Sequence, residues 1–122
     1  MQLATIVDRF GQVSRRPRLL VVGTPDQWAA ADIADADRNW LALCPFADLD
    51  TCTLDEWNPD LVVSHLLSAE YDVIEVARRL NELGYAGSYV AIWRRVPNPA
   101  VIKAEVRQVA PGLPFEVLEL SD

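Results

Sequence analysis

Five short apolar runs, separated by segments with helix signals, are the feature that most constrains the fold of this chain. The first spans residues 18–23, and the others lie within residues 40–46, 60–66, 88–93 and 115–120. The first is continuous and ends at Gly23, which is typical of a strand buried on both faces, whereas the alternation in residues 115–120 is typical of an edge strand with one exposed face. Strands that alternate with helices over short connections form parallel sheets through right-handed crossovers. The sequence therefore predicts an α/β domain with five parallel strands.

Helix signals stand between the runs. Residues 24–27 and 53–56 both match the capping box, in which the leading threonine is the predicted N-cap. Ser68 is the predicted N-cap of the most amphipathic helix, which Gly84 should end in a left-handed conformation. Asn98-Pro99 predicts the start of a last helix. These signals place a helix in each connection between strands.

The length of 122 residues fits a single domain. We assign residues 18–122 to that domain and residues 1–17 to an N-terminal amphipathic segment. The apolar side chains of this segment recur at helical spacing: Leu3, Ile6, Val7 and Phe10. A parallel sheet needs both faces covered, so we expect the segment to pack on the domain or on a partner chain. A homodimer is the assembly that we predict.

The distribution of charge bears on possible partners. The net charge is −7, and residues 26–60 hold nine acidic residues and one base. A net-acidic domain repels phosphate backbones, so we predict no nucleic-acid partner. No run approaches the roughly 18 apolar residues that a membrane span needs, and no signal peptide is visible at the start. We therefore expect a cytoplasmic protein that does not bind membranes.

Residues that carry metal or redox chemistry are few. Two cysteines and one histidine, Cys44, Cys52 and His65, cannot form a four-ligand zinc site from these residue types alone. Cys44 lies in an apolar run and is predicted to be a small buried hydrophobe, whereas Cys52 falls in a predicted polar loop. No glycine-rich nucleotide-binding sequence follows the first strand. We predict no metal, no cofactor and no catalytic residue, which gives no support for an enzyme.

The middle of the chain resembles a known family. Residues 59–67 form a proline-aspartate-aliphatic strand, residues 72–80 a helix with a basic pair near its end, and residues 84–92 a glycine followed by the next strand. This order of features resembles two-component receiver domains over residues 57–93. The resemblance implies a flavodoxin-like, doubly wound five-stranded parallel sheet with strand order 2-1-3-4-5, in which the family's last helix is missing.

The functional residues of receivers are not retained at the matching positions. The resemblance places His65, or Ser64 in a register shifted by one, where receivers carry the phosphoacceptor aspartate. Gly23 and Thr24 stand in place of the acidic pair that binds magnesium. Lys103, the only lysine, lies before the fifth strand and not at its end. The resemblance therefore implies a degenerate receiver-like signalling module of a two-component system, which binds a protein partner without being phosphorylated.

A small-molecule site is the alternative interpretation. Thr24, Asp26, Ser64 and His65 are predicted at the carboxyl ends of the first and third strands. Sheets of this class place ligands at that edge. A pocket there would make the chain a ligand-binding protein or a small enzyme.

A predicted partner contact follows the fourth strand. Trp93, Arg94 and Arg95 are consecutive, and both residue types are enriched among the residues that dominate binding energy at interfaces. We therefore predict that this segment contacts the protein partner.

Overall fold

The computed structural model describes residues 18–23, 41–93 and 98–119. Several predicted features lie outside these ranges: the segment 1–17, Thr24, Asp26, Arg94 and Arg95.

Five strands and three helices are present in the described residues. The strands are β1 (Leu19–Val22), β2 (Leu41–Cys44), β3 (Leu61–His65), β4 (Ser88–Trp93) and β5 (Phe115–Glu119). The helices are α1 (Thr51–Trp57), α2 (Val73–Glu82) and α3 (Pro99–Val109), and a short 3₁₀ helix covers Phe46–Asp48. All strand pairs are parallel and the order is β2-β1-β3-β4-β5. The predicted α/β fold and its flavodoxin-like strand order are confirmed.

Helix α1 begins earlier than the capping box at residues 53–56 predicts. Asp50 is the N-cap, and its Oδ1 accepts a hydrogen bond from the Thr53 N–H at 2.9 Å. Thr53 lies in the first turn, where its hydroxyl donates to the Asp48 carbonyl at 3.0 Å. The extra turn places Cys52 within α1, so the predicted polar loop at this position is wrong. A carboxylate also interacts favourably with the helix dipole, which favours Asp50 as the cap.

The predicted start of α2 is also wrong, because an aspartate further along the chain caps the helix and Ser68 does not. Asp72 is the N-cap, and its Oδ1 accepts from the Glu75 N–H at 2.8 Å. Ser68 lies in a preceding turn, where its Oγ accepts from the Glu70 N–H at 3.1 Å. At the other end, Gly84 follows the helix in the left-handed conformation with φ 72°, as predicted.

The three helices contribute to one buried cluster with one face of the sheet. Its strand members include Leu20, Val22, Val62, Tyr89 and Ala91, and its helix members are Leu54, Val73, Val76, Ala77, Leu80 and Val106. Alternate strand residues direct their side chains to the opposite face. These residues are at most 3% exposed: Leu19, Val21, Leu61, Val63, Val90 and Ile92. β1, β3 and β4 are therefore buried on both faces, which the continuous apolar run of β1 predicts for that strand.

Candidate functional site

The carboxyl ends of β1 and β3 are adjacent at the centre of the sheet. β1 has β2 on its other side and β3 has β4, so the chain order reverses between β1 and β3. Open α/β sheets bind ligands at such a reversal. Gly23 directly follows β1 there, and His65 is the last residue of β3.

The tyrosine before α2 interrupts the hydrogen bonding between these two strands. The Leu61 N–H donates to the Arg18 carbonyl at 3.2 Å. In a parallel ladder these bonds recur every two residues along each strand. The His65 N–H would then donate to the Val22 carbonyl. The Tyr71 hydroxyl lies between these two groups instead. It accepts from the His65 N–H at 3.3 Å and donates to the Val22 carbonyl at 3.1 Å.

Tyr71 is part of the buried core and not of an open crevice. Its side chain is 2% exposed, and its ring packs against Phe46 with 5.9 Å between ring centroids. Burial raises the pKa of the Tyr71 hydroxyl, so the group keeps the proton that it donates. The sequence did not point to Tyr71, because this residue lies 49 positions from Val22 in the chain and no local pattern signals such a contact.

The Ser64 hydroxyl has both of its hydrogen-bond partners inside the fold. Ser64 is 0% exposed. Its Oγ donates to the His65 carbonyl at 2.9 Å, and its distance to the Tyr89 hydroxyl is 2.5 Å. Because a serine hydroxyl has one proton, Tyr89 is the donor in the second bond. The imidazole of His65 projects from the opposite face of the strand, so it is not placed to act as a base for Ser64.

His65 contacts Trp93 at the same edge of the sheet. Both side chains are half-buried, and their rings meet edge to face at 6.3 Å between centroids. The structure thus joins one residue of the predicted pocket to one residue of the predicted partner contact. Apart from the buried Ser64, the remaining members of these two predicted sites lie outside the described ranges, and their roles stay predictions: Thr24, Asp26, Arg94 and Arg95.

The thiol of Cys44 is buried, as predicted. Its side chain is 4% exposed, and its Sγ donates to the Pro45 carbonyl at 3.4 Å. Burial, followed by the negative charges of Asp48 and Asp50, raises the pKa of Cys44 to about 11. Because the thiolate is the reactive form, Cys44 is a structural residue.

Neither a metal-binding cluster nor a membrane-spanning helix is present in the described ranges. Among those residues, no three His, Cys, Asp or Glu side chains are grouped so that they could hold a metal ion. No helix formed by them has the length and apolar character needed to cross a membrane.

Comparison with known proteins leaves the function to be argued from the residues themselves. No protein-family model matches the chain, and no curated protein shows significant sequence similarity to it. A flavodoxin-like fold alone does not define an activity.

Proposed function

We propose that this chain is a receiver-like interaction module that binds a protein partner without being phosphorylated, in a cytoplasmic signalling system of the two-component type. The observation that carries the proposal is the identity of the residues at the carboxyl ends of β1 and β3. Gly23 follows β1 and His65 ends β3, and the resemblance aligns Gly23-Thr24 with the acidic pair of receivers and His65 with their phosphoacceptor aspartate. None of these residues supplies the carboxylate oxygens that magnesium prefers.

Ser64 gives further support, because it is the phosphoacceptor position in the alternative register. Its hydroxyl is fully buried and bonded to Tyr89 and to the His65 carbonyl. A phosphodonor in solution has no access to a group with no exposed surface.

The position of Lys103 in the chain also supports the proposal. Receivers have a lysine at the end of the fifth strand, whereas Lys103 lies within α3. Its Nζ is 2.6 Å from Glu116 Oε1 of β5. The only lysine of the chain is thus engaged on the edge strand.

The partner contact that we propose is the segment 93–95. Trp93 ends β4, and its ring is half-buried against His65. A tryptophan held in place on one side and accessible on the other is suited to binding, because little conformational entropy is lost on association.

The test is phosphorylation with a small phosphodonor and magnesium, followed by intact mass measurement. We expect no change in mass for the wild type. His65→Ala is the matched variant, because it removes the side chain at the phosphoacceptor position. A wild-type adduct of one phosphoryl group that is lost in His65→Ala would identify His65 as an acceptor and overturn the proposal. An adduct retained in both proteins would overturn it as well.

Thermal-shift screening separates this proposal from a ligand site formed by Thr24, Asp26, Ser64 and His65. The screen uses metabolite and nucleotide libraries, and we expect no compound to stabilise the protein. A compound that raises the midpoint of unfolding by several degrees in the wild type but not in His65→Ala would favour the small-molecule function.

A further inference from the structure

Strand β5 forms one edge of the sheet, and half of its backbone groups are directed away from β4. The Tyr89 N–H donates to the Pro114 carbonyl at 2.9 Å. This bond fixes the alternation, so the even-numbered residues of β5 bond to β4 and the odd-numbered residues direct their N–H and C=O groups outward. The outward residues are Phe115, Val117 and Glu119. Four of the five β5 side chains are half-exposed and Glu119 is exposed.

The central N–H of this outward row is bonded to a side chain of the same strand. The Val117 N–H donates to Glu116 Oε1 at 3.3 Å. The same carboxylate oxygen lies 2.6 Å from the Lys103 Nζ of α3. The ion pair therefore ties the carboxylate to the helix, in a position where it covers the middle of the edge.

The sequence of β5 is suited to pairing with a second copy of itself in the antiparallel direction. When Val117 lies opposite Val117 across a two-fold axis, Phe115 lies opposite Glu119 and Glu116 opposite Leu118. No glutamate then faces a glutamate, and like charges directly opposite each other destabilise a strand pair. A register centred on Glu116 would oppose two glutamates, and one centred on Leu118 would pair only three of the five residues of β5.

We propose that the Glu116 carboxylate prevents the edge of β5 from pairing with β5 of a second copy. Its carboxylate occupies the Val117 N–H, which is the donor at the centre of the favourable register. Exposed strand edges without such protection are sites of self-association. Removal of the carboxylate opens the edge to a symmetric dimer with one sheet running through both copies. This inference does not depend on the receiver-like function.

The first test compares two substitutions on the same strand. Glu116→Thr removes the carboxylate that accepts from the Val117 N–H and introduces a residue that favours strands. Glu119→Thr is the control, because it makes the same change of charge and side chain outside the contact with Val117. At equal concentration in sedimentation velocity, we expect Glu116→Thr to move the average mass toward about twice the wild-type value. Glu119→Thr should sediment as the wild type does.

A proline variant identifies the edge that pairs. Because the Val117 N–H is directed away from β4, Val117→Pro removes an edge donor without removing a bond within the sheet. The double variant Glu116→Thr/Val117→Pro should therefore return to the wild-type mass. Circular dichroism verifies that each variant is folded. Equal masses for Glu116→Thr and Glu119→Thr, or association that persists in the proline variant, would refute the proposal.

Hydrogen exchange tests whether the Glu116 carboxylate protects the Val117 amide in the wild type, independently of how the variants fold. The Val117 amide should exchange more slowly than the Phe115 amide, although both are directed outward from the same strand. Equal exchange of the two amides would show that the Glu116 carboxylate does not cover the edge.

Discussion

The Tyr71 hydroxyl joins β1 and β3 through a single oxygen atom. It donates to the Val22 carbonyl and accepts from the His65 N–H, in a place where the ladder would otherwise make one direct bond. A hydroxyl can do this because it is both a donor and an acceptor. A structural contact, the Tyr71 hydroxyl, therefore lies between β1 and β3 where the chain order reverses.

Tyr71→Phe should lower the free energy of unfolding by about 1–3 kcal/mol, because two hydrogen bonds to buried backbone groups are lost. Urea unfolding measures this change. Tyr85→Phe is the comparison, since its hydroxyl donates to the Ser88 carbonyl three residues away at 2.8 Å and does not join β1 to β3, and this variant should have the smaller effect. A loss of stability in Tyr71→Phe no greater than in Tyr85→Phe would contradict the bridging role.

At the scale of elements, the caps of α1 and α2 decide where each helix begins. Both caps are aspartates whose Oδ1 accepts from an N–H three residues further on: Asp50 with Thr53 and Asp72 with Glu75. Their side chains satisfy N–H groups that have no partner within the helix.

Asp72→Ala should therefore destabilise the protein by about 1 kcal/mol, the usual effect of losing an N-cap side chain. Ser68→Ala provides the comparison, because Ser68 is the cap that the sequence predicts and the structure places it in a turn. Chemical unfolding of the two variants should show the larger loss for Asp72→Ala. The reverse order would mean that α2 begins at Ser68 in solution.

The same elements show what the sequence can predict. The central strands were predictable because burial on both faces leaves short apolar runs, and Leu19–Val22 is one of them. The N-caps were not predictable in the same way, because Ser68 and Asp72 are both residue types that cap helices and they lie close together in the chain. The choice between them follows from where α2 meets the sheet, with Val73 already 6% exposed in its first turn.

The candidate site was less predictable than the fold. His65 at the end of β3 follows from the strand pattern, but its contact with Trp93 joins residues on two different strands. The bridging role of Tyr71 joins more distant parts of the chain and depends on the position of a turn. The predictions for residues 1–17 and for a homodimer formed through them lie outside the described ranges and stay predictions.

At the scale of the whole molecule, every tyrosine uses its hydroxyl proton in an internal hydrogen bond. The chain has three tyrosines. Tyr71 donates to the Val22 carbonyl, Tyr85 to the Ser88 carbonyl, and Tyr89 to Ser64. Burial is the largest cause that raises the pKa of each hydroxyl above its ordinary value of 10.0. The phenols are therefore retained as neutral donors in the folded state.

This arrangement makes stability fall at alkaline pH. Groups whose pKa is higher in the folded state lose their protons first in the unfolded chain, so deprotonation favours unfolding. The contribution is fully present below the unfolded pKa values, which begin with 9.0 for Cys44, and it is lost as the pH rises. For Cys44 the loss extends to about pH 11, and for the tyrosines it begins near pH 10. Urea unfolding should show a stability that is level from pH 7 to about pH 9 and declines above it.

Tyrosinate absorbance provides the direct measurement, because no tyrosine in the chain serves as an exposed reference. The absorbance of the native protein should rise at a higher pH than that of the protein in concentrated urea, which should show the ionisation of all tyrosines near pH 10. Above that pH, the native signal should appear only together with loss of the circular dichroism spectrum, since unfolding is what releases the phenols. A reversible rise near pH 10 in the folded protein would mean that at least one of the three hydroxyls faces solvent.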